Sequence, residues 1–94
     1  MSIVGLLEVK IYIPEAQSLK EKRSVIKSIK DKLFRHNISF SETETQDLHQ
    51  KCHLSIVAVG NEQFYVERTF NNVINEIDRN NEGLTVSYDL DWLM

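Results

Sequence analysis

The sequence predicts an α+β fold, a ferredoxin-like βαββαβ sandwich with a four-stranded antiparallel sheet and two helices on one face. Three observations predict it. Apolar residues alternate with a period of two in the stretches 2–13, 38–45, 52–60 and 84–93, the pattern of half-buried strands. In 18–35 and 62–79 they recur at helical spacing instead. Placed in this order and joined by right-handed crossovers, the segments put both helices on the same side of the sheet. The 94 residues make a single domain, 1–94, with no repeat, linker or low-complexity segment.

The first strand, residues 2–13, carries Ile3, Leu7, Val9, Ile11 and Ile13 on one face and Val4, Leu6, Glu8, Lys10 and Tyr12 on the other. Pro14 ends it, because proline has no N–H for a ladder. The first helix opens on a capping box. Ser18 can accept from a free N–H of the first turn, and Glu21, three residues on, can reach back. Leu19, Ile26, Ile29 and Leu33 share its inward face, with Val25 at the margin. Residues 38–45 form a second strand with Ile38 and Phe40 as its apolar side. The third, Cys52–Gly60, points Leu54, Ile56 and Ala58 to one layer and Val57 and Val59 to the other. Asn61 is placed to cap the second helix, whose inward stripe is Val66, Phe70, Val73 and Ile77. The 80–83 segment, Asn-Asn-Glu-Gly, breaks that helix. The last strand sends Leu84, Val86, Tyr88, Leu90 and Trp92 inward and Thr85, Ser87, Asp89 and Asp91 outward.

Charge is distributed unevenly. The chain has a net charge of −3, yet the stretch 18–35 holds seven of its eleven basic residues against Glu21 and Asp31. The remainder is correspondingly acidic, so a local basic patch can act where the net charge argues against a polyanion partner. Lys20, Arg23, Lys27 and Lys30 step by three, four and three, forming a positive stripe beside the inward face. A helix N-terminus also favours anions. Ser18, Lys20, Lys22, Arg23, Lys27 and Lys30 are therefore the candidate anion- or nucleic-acid-binding residues, suited to a run of phosphates. A solvated helix face is the plain alternative. Lys22 falls on the inward face, so its stem must snorkel towards the helix start.

The open sheet face is a weaker nucleic-acid surface. Its central strands offer Tyr12 and His53 for stacking, beside Glu8, Asp89 and Asp91. Val4, Leu6, Val57 and Val59 on the same face form a candidate association patch. No catalytic motif is present, and an enzyme is not expected. The loop after the first strand, Pro-Glu-Ala-Gln-Ser, has no glycine with which to wrap a phosphate. His49, Cys52 and His53 cluster in sequence but span the entry to a strand, where four residues cover about 13 Å. They are not expected to converge on a metal, and Glu42, Glu44 and Asp47 read as solvated hairpin-end charges rather than a cation site. No cofactor is expected. The lone Cys52 suits a reducing compartment, and the start has neither a basic leader nor an unbroken apolar run. A cytoplasmic protein without membrane contact is expected.

Ile13-Pro14 followed by Ser18-Leu-Lys-Glu-Lys-Arg23, and further on Glu44 and Gln46-Asp47-Leu48 leading into the apolar strand before Asn61, resemble the two conserved blocks of the YlxP-like family, domain of unknown function 503. The resemblance covers essentially the whole chain. It implies a ferredoxin-like fold and a small cytoplasmic bacterial protein, often encoded beside translation initiation and ribosome-binding factors. The implied partner is ribosomal RNA or a ribosomal particle, with no activity assigned. Where the family pattern has a tryptophan after Asp-Leu, this chain has His49. The alternative is a protein-interaction or homodimerisation module that pairs through the open sheet face or an edge strand. Its positive helix would then meet an acidic partner such as the Asp89/Asp91 end of a second copy.

Overall fold

In the computed structural model, which describes residues 1–94, the chain runs β1 (Ile3–Tyr12), α1 (Leu19–Leu33), β2 (Ser39–Glu42), β3 (Lys51–Gly60), α2 (Gln63–Arg79) and β4 (Thr85–Trp92). The strands form one antiparallel sheet in the order β2-β3-β1-β4. The two most apolar strands are therefore central, and the fold is the ferredoxin-like α+β sandwich. No helix is long and apolar enough to cross a membrane.

Register fixes the two faces. Leu7 pairs with Ile56 and Leu90, and Val9 with Leu54 and Tyr88. Of these, Leu7, Val9, Leu54 and Ile56 lie under the helices, where Ile26, Ile29 and Leu33 of α1 and Val66, Phe70, Val73 and Ile77 of α2 complete a single core with Ile11, Ile13 and Cys52. Glycine is required at Gly5. A Cβ there would stand 2.7 Å from Cε2 of Phe70 and 3.0 Å from Cγ1 of Val66, so α2 can press onto β1 only because that atom is missing.

Four sequence expectations are corrected. β2 ends at Glu42 rather than running to 45, because Glu44 takes a φ of 70°, which extended backbone cannot accommodate. The cap of α2 is Glu62 and not Asn61, and its side chain makes no capping bond; Tyr65 N–H to Glu62 O, 3.2 Å, closes the turn instead. On β4, Leu90 and Trp92 face the helix side as their parity requires. They nevertheless stay 43% and 36% exposed: α2 packs chiefly over β1 and β3 and meets β4 at Tyr88, whose hydroxyl donates to Asp78 at 2.6 Å. Glu42 is the fourth: it is not a solvated hairpin charge but lies on the helix-facing side, opposite Leu54.

Candidate nucleic-acid and anion interface

The N-terminus of α1 forms the capping box that the sequence predicts, with one shift. Ser18 Oγ accepts from Glu21 N–H at 3.2 Å, while the Glu21 carboxylate accepts from the N–H of Gln17, one residue before the cap. The helix end thus already holds a carboxylate, and the Ser18 oxygen is engaged by its own helix. An external anion finds this terminus occupied.

Lys22 departs further from expectation. It is 2% exposed, and its ammonium does not emerge at the helix start. Nζ lies 2.7 Å from Oε2 of Glu42 and donates to the carbonyls of Thr45 and Leu48, each at 2.6 Å. These three oxygens replace the water an ammonium needs, which is why a lysine can occupy the core side of the helix. Lys22 therefore fastens the β2–β3 connection to α1 and has no donor left for a phosphate. Burial by itself would raise the Glu42 carboxyl. The hydrogen bonds from Lys22 and Thr45, with the positive charges of Lys22 and Lys30, outweigh it and hold Glu42 below its ordinary value.

The connection is tied on its other side as well. Thr45 Oγ1 donates to Glu42 Oε2 and accepts from the backbone N–H of His53, both at 2.8 Å. The left-handed turn at Glu44 swings its carboxylate to the open face, where Oε2 lies 3.2 Å from Nδ1 of His53. Glu42 and Glu44 thus serve opposite faces, and no cluster of histidine, cysteine and carboxylate groups able to hold a metal exists. Cys52 faces the core and His53 the open side, so neighbours in sequence diverge in space. Burial pushes the Cys52 thiol up to about 12, and the charge of Glu42 adds to the rise.

What remains of the predicted stripe is exposed. Lys20, Arg23 and Lys27 face solvent and Lys30 is half-buried. Lys27 pairs with Asp31 at 2.9 Å, a bond between two well-exposed groups of little strength. Lys20, Arg23 and Lys30 form no ion pair. Arg23, Lys27 and Lys30 line a common cleft of about 350 Å³ between α1 and the β2 edge, with Asp31 and Glu42 as its only acids. The same cleft ends at Phe34, 74% exposed, whose ring centroid lies 5.1 Å from that of Phe40. Phe34 stands four residues beyond Lys30, on the same helical row. Sequence reasoning missed it, although that spacing was the available signal.

Comparison with known proteins adds a family and a fold. A family model described as a protein of unknown function (DUF503) matches residues 4–90. The uncharacterised protein YlxP of Bacillus subtilis (strain 168) is 35% identical over 77 residues, which cover 81% of this chain and 84% of its own. Among solved structures, a de novo designed protein with ferredoxin fold superposes with a TM-score of 0.61 at 16% identity, covering 94% of this chain and 84% of that one. A C-terminal segment of the alpha subunit of aIF2 from Pyrococcus abyssi gives a TM-score of 0.59 at 13% identity, over 93% of this chain and 49% of that one. At such identities the likeness shows the fold alone.

Proposed function

Starting from the fact that the chain belongs to the DUF503 family, whose description assigns no activity, we propose that it is a small cytoplasmic binding protein, not an enzyme, whose first helix contacts phosphates of structured RNA. The observation that carries this reading is the convergence of Arg23, Lys27 and Lys30 on one cleft, with Arg23 and Lys30 in no direct ion pair. Lys20 extends the row towards the helix start. Cations at successive turns, with only Lys27 held in a weak exposed pair, suit a run of phosphates, and guanidinium binds phosphate bidentately. Phe34 at the far end offers a face on which an unpaired base can stack. A ribosomal particle as the source of that RNA follows from the family resemblance. The test is co-sedimentation with ribosomal particles, comparing the wild type with a variant carrying Glu at 20, 23, 27 and 30. Loss of the variant from the pellet supports the reading, and equal sedimentation of both removes this surface from consideration.

A second reading, a homodimer or protein-interaction module, is favoured by the uncovered β4 edge. Leu90 and Trp92 project there beside Leu93, 56% exposed. Light scattering separates the two: a concentration-independent dimer that ignores RNA supports the second, a monomer that binds RNA the first.

A further inference from the structure

A second candidate site lies on the face opposite α1, at the end of the sheet where β1 finishes. Register places His53, Lys10 and Ser87 side by side in one row across β3, β1 and β4, and Lys51, Tyr12 and Thr85 in the next. These side chains share the non-core face, and the β2–β3 connection closes one side with Glu44 and Thr45. Together they surround a cavity of about 380 Å³, within the range of small-ligand pockets, roughly 300–1,000 Å³. The acids of the face, Glu8, Asp89 and Asp91, do not line it.

Three features are unaccounted for by the fold. Lys10 and Lys51 form no ion pair. Tyr12, in the middle of its row, is 44% exposed and stacks on no other ring. His53 is 8% exposed, and its buried Nε2 has no hydrogen-bond partner, the nearest carboxylate oxygen being Glu8 Oε1 at 3.6 Å. That nitrogen has no surface open to the cavity, and its nearest polar neighbour, Glu8, lies outside the lining, so it makes no contact with a ligand there.

We propose that this cavity binds a nucleotide, with the base stacked on Tyr12 and the phosphate held between Lys10 and Lys51. Two ammonium groups match a phosphate dianion, an exposed ring at the strand end offers a π-face, and the hydroxyls of Thr85 and Ser87 suit a ribose. Glu44 supplies an acceptor for an exocyclic amino group or a ribose hydroxyl, which distinguishes the site from a plain anion hole. The bound species is either a free nucleoside monophosphate or one residue of a single-stranded RNA, which share this chemistry. The site uses none of the α1 cations and does not depend on the reading given for them.

The test is a titration of the ¹⁵N-labelled chain followed by amide chemical shifts. AMP, GMP, CMP and UMP are added in turn, then the matching nucleosides, inorganic phosphate and a single-stranded RNA hexamer. The expected result is saturable movement of the amides of residues 10, 12, 51, 53, 85 and 87 with a nucleotide. Nucleoside or phosphate alone should bind at least tenfold more weakly. Lys10→Gln with Lys51→Gln, and separately Tyr12→Val, should each lower nucleotide affinity on the order of tenfold while the spectrum stays dispersed. Glu substituted at 20, 23, 27 and 30 should leave this binding unchanged, so failure of one site is distinguishable from failure of the other. A hexamer that binds more tightly than any mononucleotide identifies RNA as the source; equal affinities identify the free nucleotide. No movement at millimolar nucleotide, movement confined to α1, phosphate binding as tightly as nucleotide, or affinity indifferent to both sets of variants would each overturn the proposal.

Discussion

An ammonium withdrawn from water survives only where oxygens take over its hydration, and Lys22 has three of them within 2.7 Å. Replacing it with Met strands the Glu42 carboxylate and two carbonyls together, so Lys22→Met should cost about 3–5 kcal/mol in urea unfolding. Adding Glu42→Leu to that variant should restore part of the loss, since the uncompensated charge is then gone. Acid should reach the same pair from the other partner. Because the folded-state carboxyl of Glu42 lies below the ordinary 4.5, its contribution is fully present above about pH 4.5 and is lost as pH falls through the folded value. Wild-type stability should therefore drop more between pH 6 and pH 3 than that of Glu42→Gln. Cys52, with its thiol pushed up to about 12, should stay unreactive towards thiol reagents at pH 8 until the chain unfolds. The inward position of Lys22 was legible from the helical wheel, but its partner was not. Glu42, Glu44 and Asp47 are equivalent in sequence, and only the left-handed turn at Glu44 decides which carboxylate meets the lysine and which meets His53.

Elements obey local rules where their signals are local. The cap at Ser18 and the stop at Pro14 were readable because hydroxyl geometry and a missing N–H act within a few residues. Ser18→Ala should lower stability by about 1 kcal/mol, measurable as a shift of the urea midpoint at unchanged slope. The exposed ends of β4 were not readable, since alternation reports which face a side chain takes and not whether a helix covers it. Gly5 belongs to the same class: only the packed structure shows that Phe70 fills the space of a Cβ. Gly5→Ala should force α2 away from β1 and cost about 1–3 kcal/mol. The same midpoint measurement tests it, and a neutral result would mean that the Phe70 ring moves aside freely.

Across the whole molecule, the basic side chains gathered on α1 face away from the open sheet, with its Glu8, Asp89 and Asp91. Such polarity would orient a polyanion before contact, so the net charge of −3 does not argue against the proposed RNA partner. The stripe itself was legible from its spacing. Its effective membership was not, because Lys22 is spent inside the fold and Ser18 on its own helix. Four cations remain, and their number can be counted in solution. The most direct measurement is the affinity for structured ribosomal RNA as a function of salt. Four neutralised phosphates predict a slope of log affinity against log salt between about −3 and −4, falling towards zero when Lys20, Arg23, Lys27 and Lys30 are changed to Glu. A slope near zero in the wild type, or one left unchanged by those substitutions, would contradict the assignment of the first helix as the RNA-contacting surface.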